Sequence, residues 1–159
     1  MHACFFPSAN FRAFLYLLLG MALAGLSACA LTGRGQAVQI LSTMGGSAAL
    51  LEETRSPVLV VKSKKGIGHA RLRITQPLPE GMSFEFPGLS KLEHFSLSQS
   101  GTALVCAGTD EVETVCSWGR EWPVARMKRY EGGMTVTVPG KIFSTPGDWQ
   151  LEWVNYYRN

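Results

Sequence analysis

The sequence predicts an all-β protein: a single antiparallel β-sandwich of about eight or nine strands. Three observations predict it. From Ser56 onward, apolar and polar residues alternate over short runs, as in strands with one face in a core. Gly and Pro turn signals separate these runs at short intervals. No stretch carries an amphipathic helical pattern of convincing length. The 17 Gly and 8 Pro, beside many Val, Thr, Phe, Trp and Tyr, fit strands with frequent turns. A single-faced sheet buries that face on another sheet, hence a sandwich. The alternation leaves jelly-roll-like and immunoglobulin-like topologies both open.

The chain begins with a different kind of segment. Arg12 precedes an apolar run, LYLLLGMALAGL (Leu15–Leu26), and no charge occurs after Arg12 until Arg34. A run of about a dozen residues has the length of a signal-peptide core and is short for a membrane-spanning helix. The small residues after the run permit two cuts. Ala28-Cys29-Ala30 suits ordinary secretory cleavage. Leu26-Ser27-Ala28-Cys29 resembles a bacterial lipobox, which implies that Cys29 becomes a lipid-bearing first residue. The lipoprotein cut is the favoured expectation, with membrane attachment through the lipid and a place in the cell envelope. Ala30 is not the aspartate linked to inner-membrane retention. The resemblance therefore implies the outer membrane, facing the periplasm; a secreted soluble protein is the alternative. The expected organisation is a signal peptide over 1–28, a tether over 29–55 with a short ordered piece around Ala48–Glu53 that can dock on the domain, and the β domain over 56–159.

The domain's strands read in order along the chain. PVLVVKS (57–63) is β-branched. HARLRIT (69–75) puts Ala70, Leu72 and Ile74 on one face and His69, Arg71 and Arg73 on the other. MSFEF (82–86), EHFSLSQ (93–99), TALVCA (102–107), VETVCSW (112–118), VARMKRY (124–130), GMTVTVP (133–139) and DWQLEWVNYY (148–157) complete nine runs. Of the four cysteines, Cys4 lies in the leader and Cys29 is the lipid site. Cys106 and Cys116 are left in an oxidising compartment. In a hairpin centred on Glu111 these two face each other across the strands, which predicts a disulfide. A metal site is the competing reading, and the lack of a nearby His or C-x-x-C argues against it.

Three stretches, SKKGIGHARLRI (63–74), LSKLEHFSLS (89–98) and WQLEWVNYYRN (149–159), together resemble a group of small bacterial proteins with no assigned function. In that group a Gly-Ile-Gly-Ser-Ala start precedes a strand, a Leu-Glu-x-Phe step comes next, and the chain ends near Ile-Asp-Phe-Tyr-Arg. Here His69 replaces the usual serine and Asn155 the usual aspartate. The resemblance implies an all-β domain and supplies no activity.

Charge and motifs narrow the function classes. Fifteen Lys and Arg against 12 Asp and Glu is a mild excess, not a nucleic-acid footprint. Gly66-Ile67-Gly68 lacks the third glycine and succeeding helix of a nucleotide loop. No G-x-S-x-G or H-E-x-x-H occurs, so no enzyme, metal or cofactor is expected. The basic run Lys62, Lys64, Lys65, His69, Arg71, Arg73 offers a positive patch, or plainly a solvated strand face. The aromatic set Trp118, Trp122, Tyr130, Trp149, Trp153, Tyr156 and Tyr157, with Glu152, Asn155 and Arg158 beside it, suits sugar stacking, or plainly a core. The leading expectation is therefore a non-catalytic module for envelope polysaccharide or an anionic surface. The ligand candidates are Lys64, Lys65, His69, Arg71, Arg73, Trp153, Asn155, Tyr156 and Arg158. The alternative is a structural or assembly lipoprotein that binds another envelope protein. A glycan module requires at least two exposed Trp or Tyr rings together. An assembly protein requires an apolar patch or an open strand edge. A hydrolase requires acids, or an acid and a histidine, converging in a cleft.

Overall fold

The computed structural model describes residues 36–51, 56–107 and 113–156. Among them are eleven strands and one short 3-10 helix, Gly140–Phe143. The nine anticipated runs appear in order as β3 (Val58–Ser63), β4 (Gly66–Ile74), β5 (Met82–Pro87), β6 (His94–Gln99), β7 (Thr102–Ala107), β8 (Glu113–Trp118), β9 (Glu121–Tyr130), β10 (Gly133–Val138) and β11 (Gly147–Asn155). Two more, β1 (Val38–Met44) and β2 (Gly46–Leu51), lie in the segment read as a tether.

The protein is all-β, but the sandwich expectation is corrected. The strands form one mixed sheet in the order β1-β4-β11-β6-β7-β8-β9-β10-β5-β3-β2, nearly closed into a barrel. Period-two alternation tells which side chains face inward. It does not tell where a ladder breaks, and here pairing runs on without a break. The sheet curls round its own core. Nor is it wholly antiparallel, because β3 and β5 pair in parallel. Strand β4 already has β1 on one side and β11 on the other. The chain crosses through Pro77–Gly81, and β5 takes its place beside β3, which runs the same way.

The two end strands of the sheet are neighbours in sequence, joined at Gly45. This glycine has φ of 74°, and a Cβ there would strike the Ile67 carbonyl on β4. Its carbonyl accepts from the Lys64 N–H at 3.0 Å. β1 rises along β4 and β2 descends along β3, so the barrel has a seam between β1 and β2.

The core fills the inside of this wall. Phe84, Phe86, Phe95 and Trp153 meet edge-on towards one end, with centroids 5.2–6.2 Å apart. Trp118, Trp149 and Phe143 pack towards the other, where the 3-10 helix also buries Ile142. Cys106 and Cys116 are buried and disulfide-bonded, with Cα atoms 4.4 Å apart. Leu104 pairs with Trp118 and Val105 with Ser117, which is the register of a hairpin centred on residue 111.

Candidate interaction surface

Strands β4, β11 and β6 align their outward side chains in cross-strand rows. His69 lies opposite Glu152, and Glu152 opposite Ser96; Arg71 lies opposite Gln150, and Gln150 opposite Ser98; Arg73 lies opposite Asp148. The basic row of β4 is thereby countered by acids of β11. Arg73 donates from Nε and Nη2 to the two Asp148 oxygens at 2.7 and 3.1 Å, and Arg71 stands 3.8 Å from the same carboxylate. The Arg73 hydrogen bond holds the Asp148 carboxyl below its ordinary value, with the charges of Arg73 and Arg71 adding to the effect. His69 and His94 approach opposite oxygens of Glu152 at 3.4 and 3.9 Å.

Lys62, Lys64 and Lys65 are exposed too, at the end of β3 and in the connection that enters β4 at Gly66. Of the basic run, the part on β4 is the part opposed by acids of β11. Two shallow grooves of about 290 and 310 Å³ share Ser98 and Gln150 on this outer face. Their lining is mixed and holds no Trp, Tyr or Phe. Glu152 stands between the two histidines, whereas a nucleophilic triad places the imidazole between acid and hydroxyl. Among the described residues no group of three or more His, Cys, Asp or Glu could hold a metal ion.

The aromatic set mostly turns inward. Trp149 and Trp153 are fully buried, Asn155 is buried with them, and Trp118 is half-buried. Trp153 Nε1 donates to Ser63 Oγ at 3.0 Å, and the ring lies on Gly68. Trp153 and Asn155 therefore present nothing to a ligand. Alternation along β11 puts Trp149, Leu151 and Trp153 on one face, and that face is the core. Tyr130 and Tyr156 are exposed, on different strand ends. Burial, then the Glu85 carboxylate, pushes the Tyr130 hydroxyl up. Cys29, Tyr157, Arg158 and the Trp122 side chain lie outside the described residues.

The seam is the feature that alternation did not reveal. Residues 35–51, GQAVQILSTMGGSAALL, contain no charge and no proline. Their strands carry apolar residues on both faces. Val38 is buried, and Ile40, Ala48 and Leu50 pack partly against the core. Leu41, Met44, Ala49 and Leu51 point outward, with Met44 68% and Leu51 52% exposed. Ile67 on β4, 52% exposed, adjoins them. Apolar residues on both faces are the mark of an interior strand. Edge strands are usually guarded by Lys, Pro or inward charge. Here the one guard is a bulge between Ile40 and Ser42 in β1; β2 pairs in unbroken register. The signal in the sequence was this uncharged apolar stretch. Its diglycine made it look like a linker.

No family model, curated protein or solved structure matches this chain.

Proposed function

We propose that this protein is a non-catalytic, lipid-anchored module of the bacterial cell envelope that binds a partner protein at the open edges of β1 and β2. One observation carries this reading: two strands composed like interior strands stand at the ends of the sheet, exposing Leu41, Met44 and Leu51 without a single charge. The glycan reading needs exposed rings side by side, and among the described residues Trp149 and Trp153 are fully buried and do not supply them. The anionic-surface reading loses the β4 row, which Asp148 and Glu152 oppose, and keeps the exposed Lys62, Lys64 and Lys65 as its support. The anchor rests on the leader and on Leu26–Cys29. Replacing Cys29 by Ala is expected to release the protein from membranes.

The test is amide hydrogen exchange of the full chain, compared between isolated envelopes and the detergent-purified protein. Slow exchange across β1 and β2 in envelopes, with fast exchange after purification, is the expected result. Equal, fast exchange in both, together with slowing of the β4–β11–β6 face by added envelope polysaccharide, overturns the reading in favour of a glycan module.

A further inference from the structure

We infer that the end of the barrel formed by the Gly45 turn and the Lys64-Lys65 turn lies against an anionic phospholipid membrane. Met44, Ile67 and Tyr156 sit at the interface, with the lysines among the phosphates. This goes beyond the edge reading, since it concerns the tips of the strands and not their open sides. Three observations carry it.

The first is charge. Lys62, Lys64 and Lys65 are exposed, and none has an acidic partner among the described residues. The nearest acid of the β4–β11 face, Glu152, is engaged by His69 and His94. Asp148 belongs to the opposite end of β11. Two further acids share the lysine end, but Glu93 stands beyond β11 and Glu131 beyond β5, so strands separate both from the lysine turn.

The second is apolar surface at the same end. Met44 closes β1 and Ile67 opens β4, and both are exposed. Ile67 lies opposite Val154 on β11, and the exposed Tyr156 follows that strand. Lysines keep their heads in water while their stems cover apolar surface, and tyrosines favour the headgroup layer. An acidic protein face would satisfy the lysines and set its charges against Met44 and Ile67. A bilayer interface takes both kinds of group.

The third is rigidity. The Gly45 carbonyl accepts from the Lys64 N–H at 3.0 Å and ties the two turns together. Ser63 Oγ donates to the Lys64 carbonyl at 2.9 Å and accepts from the buried Trp153 Nε1 at 3.0 Å. Lysines and apolar tips therefore share one platform fixed to the core, and docking costs little ordering. The anchor expected at Cys29 permits this orientation. β1 begins at the opposite end, where Val38 lies beside Ile74. The chain from Cys29 to Val38 spans at most about 30 Å, and the seven residues of β1 rise about 20 Å.

The test places the full chain on lipid nanodiscs of phosphatidylcholine, alone or with about one part in three of phosphatidylglycerol. A gadolinium chelate on a lipid headgroup broadens the methyl signals of methionines near the membrane. Met44 marks the lysine end. Met82 marks the other, because β5 starts beside Val58 and runs with β3 towards the lysine turn. On anionic discs Met44 should be broadened at least about tenfold more than Met82, the two ends being about 20 Å apart. Neutral discs, or high salt, should remove the difference. Lys64→Gln and Lys65→Gln should each weaken docking about fivefold, and Lys64→Arg should leave it unchanged. Ile67→Asp should abolish the difference, with unshifted Met82 and Met127 signals reporting an intact fold. Equal broadening of Met44 and Met82 on anionic discs overturns the inference, as does stronger broadening of Met82. A difference that persists on neutral discs overturns the role of the lysines. Perturbation of Met44 by polyglutamate, with no response to lipid charge, assigns the patch to an acidic protein and overturns the membrane. None of these results touches the edge reading, which stands or falls on exchange along β1 and β2 in envelopes.

Discussion

Replacing Gly68 by Ala tests how the core is built at the Gly-Ile-Gly start of β4. Gly68 lies directly across the ladder from Trp153, and a Cβ at Gly68 would fall on the indole, at Cε2, Cζ2 and Nε1. The ring is fully buried, packs edge-on against Phe86 at 6.1 Å and donates to Ser63 Oγ. It has no solvent to move into. Overpacking of this kind costs about 1–3 kcal/mol. Shifting the indole weakens the Ser63 bond, worth about 1 kcal/mol more. Against this, removing a glycine from a strand returns about 0.5–1 kcal/mol. The net expectation is a loss of about 1–3 kcal/mol. For a domain of this size that is a fall in Tm of roughly 5–12 °C. Thermal unfolding followed by far-UV circular dichroism measures it, and the near-UV spectrum reports the tryptophan environment. Gly66→Ala is the matched control. Its φ is 110° and nothing lies within 4 Å of the added methyl, so its cost is backbone strain alone and the tryptophan signal stays unchanged. A Gly68→Ala protein as stable as the parent, with an unaltered near-UV spectrum, would refute the stacking of Trp153 on Gly68.

Other perturbations address separate parts of the molecule. Replacing both Cys106 and Cys116 by Ala should lower unfolding free energy by about 2.5–3 kcal/mol from loop closure, with a further loss from the emptied core volume; denaturant titration measures the sum, and reductant alone should give most of the first part. Trp149→Phe should cost less than Trp153→Phe by about 1–2 kcal/mol, because Trp149 Nε1 is buried without a hydrogen-bond partner among the described residues while Trp153 Nε1 has one; chemical denaturation of the two variants decides it. The pairing of Asp148 with Arg73 should stabilise the fold above the ordinary carboxylate value of 3.8 and lose that contribution as pH falls through the lowered value of Asp148. The Tm difference between parent and Asp148→Asn should therefore be present at neutral pH, shrink in strong acid and shrink with added salt, as both groups are exposed.

Much of the wall could be read from the chain. The inward set Ala70, Leu72, Ile74 and the outward set His69, Arg71, Arg73 stand as alternation placed them, because a strand's side-chain period is a property of its backbone. Cys106 faces Cys116 because the pairing of Leu104 with Trp118 and Val105 with Ser117 sets that register. The surface chemistry was less legible. A run of basic residues says nothing about what the next strand brings opposite. Asp148 and Glu152, some 75–83 positions further along the chain, counter the β4 row. Tryptophans near the end of the chain look equally suited to a core or a sugar site until their neighbours are known.

Local pattern alone thus determined the class of the fold, nine of the strands, their inward faces and the disulfide. These arise from interactions between residues close in sequence. Tertiary structure decided that the sheet curls into a nearly closed barrel, that β3 pairs in parallel with β5, and that the uncharged segment after Gly35 supplies β1 and β2. Those outcomes depend on which strands compete for which edges, a contest settled by contacts between distant parts of the chain. The seam is its product: a strand is an edge only when no other strand has claimed its open side.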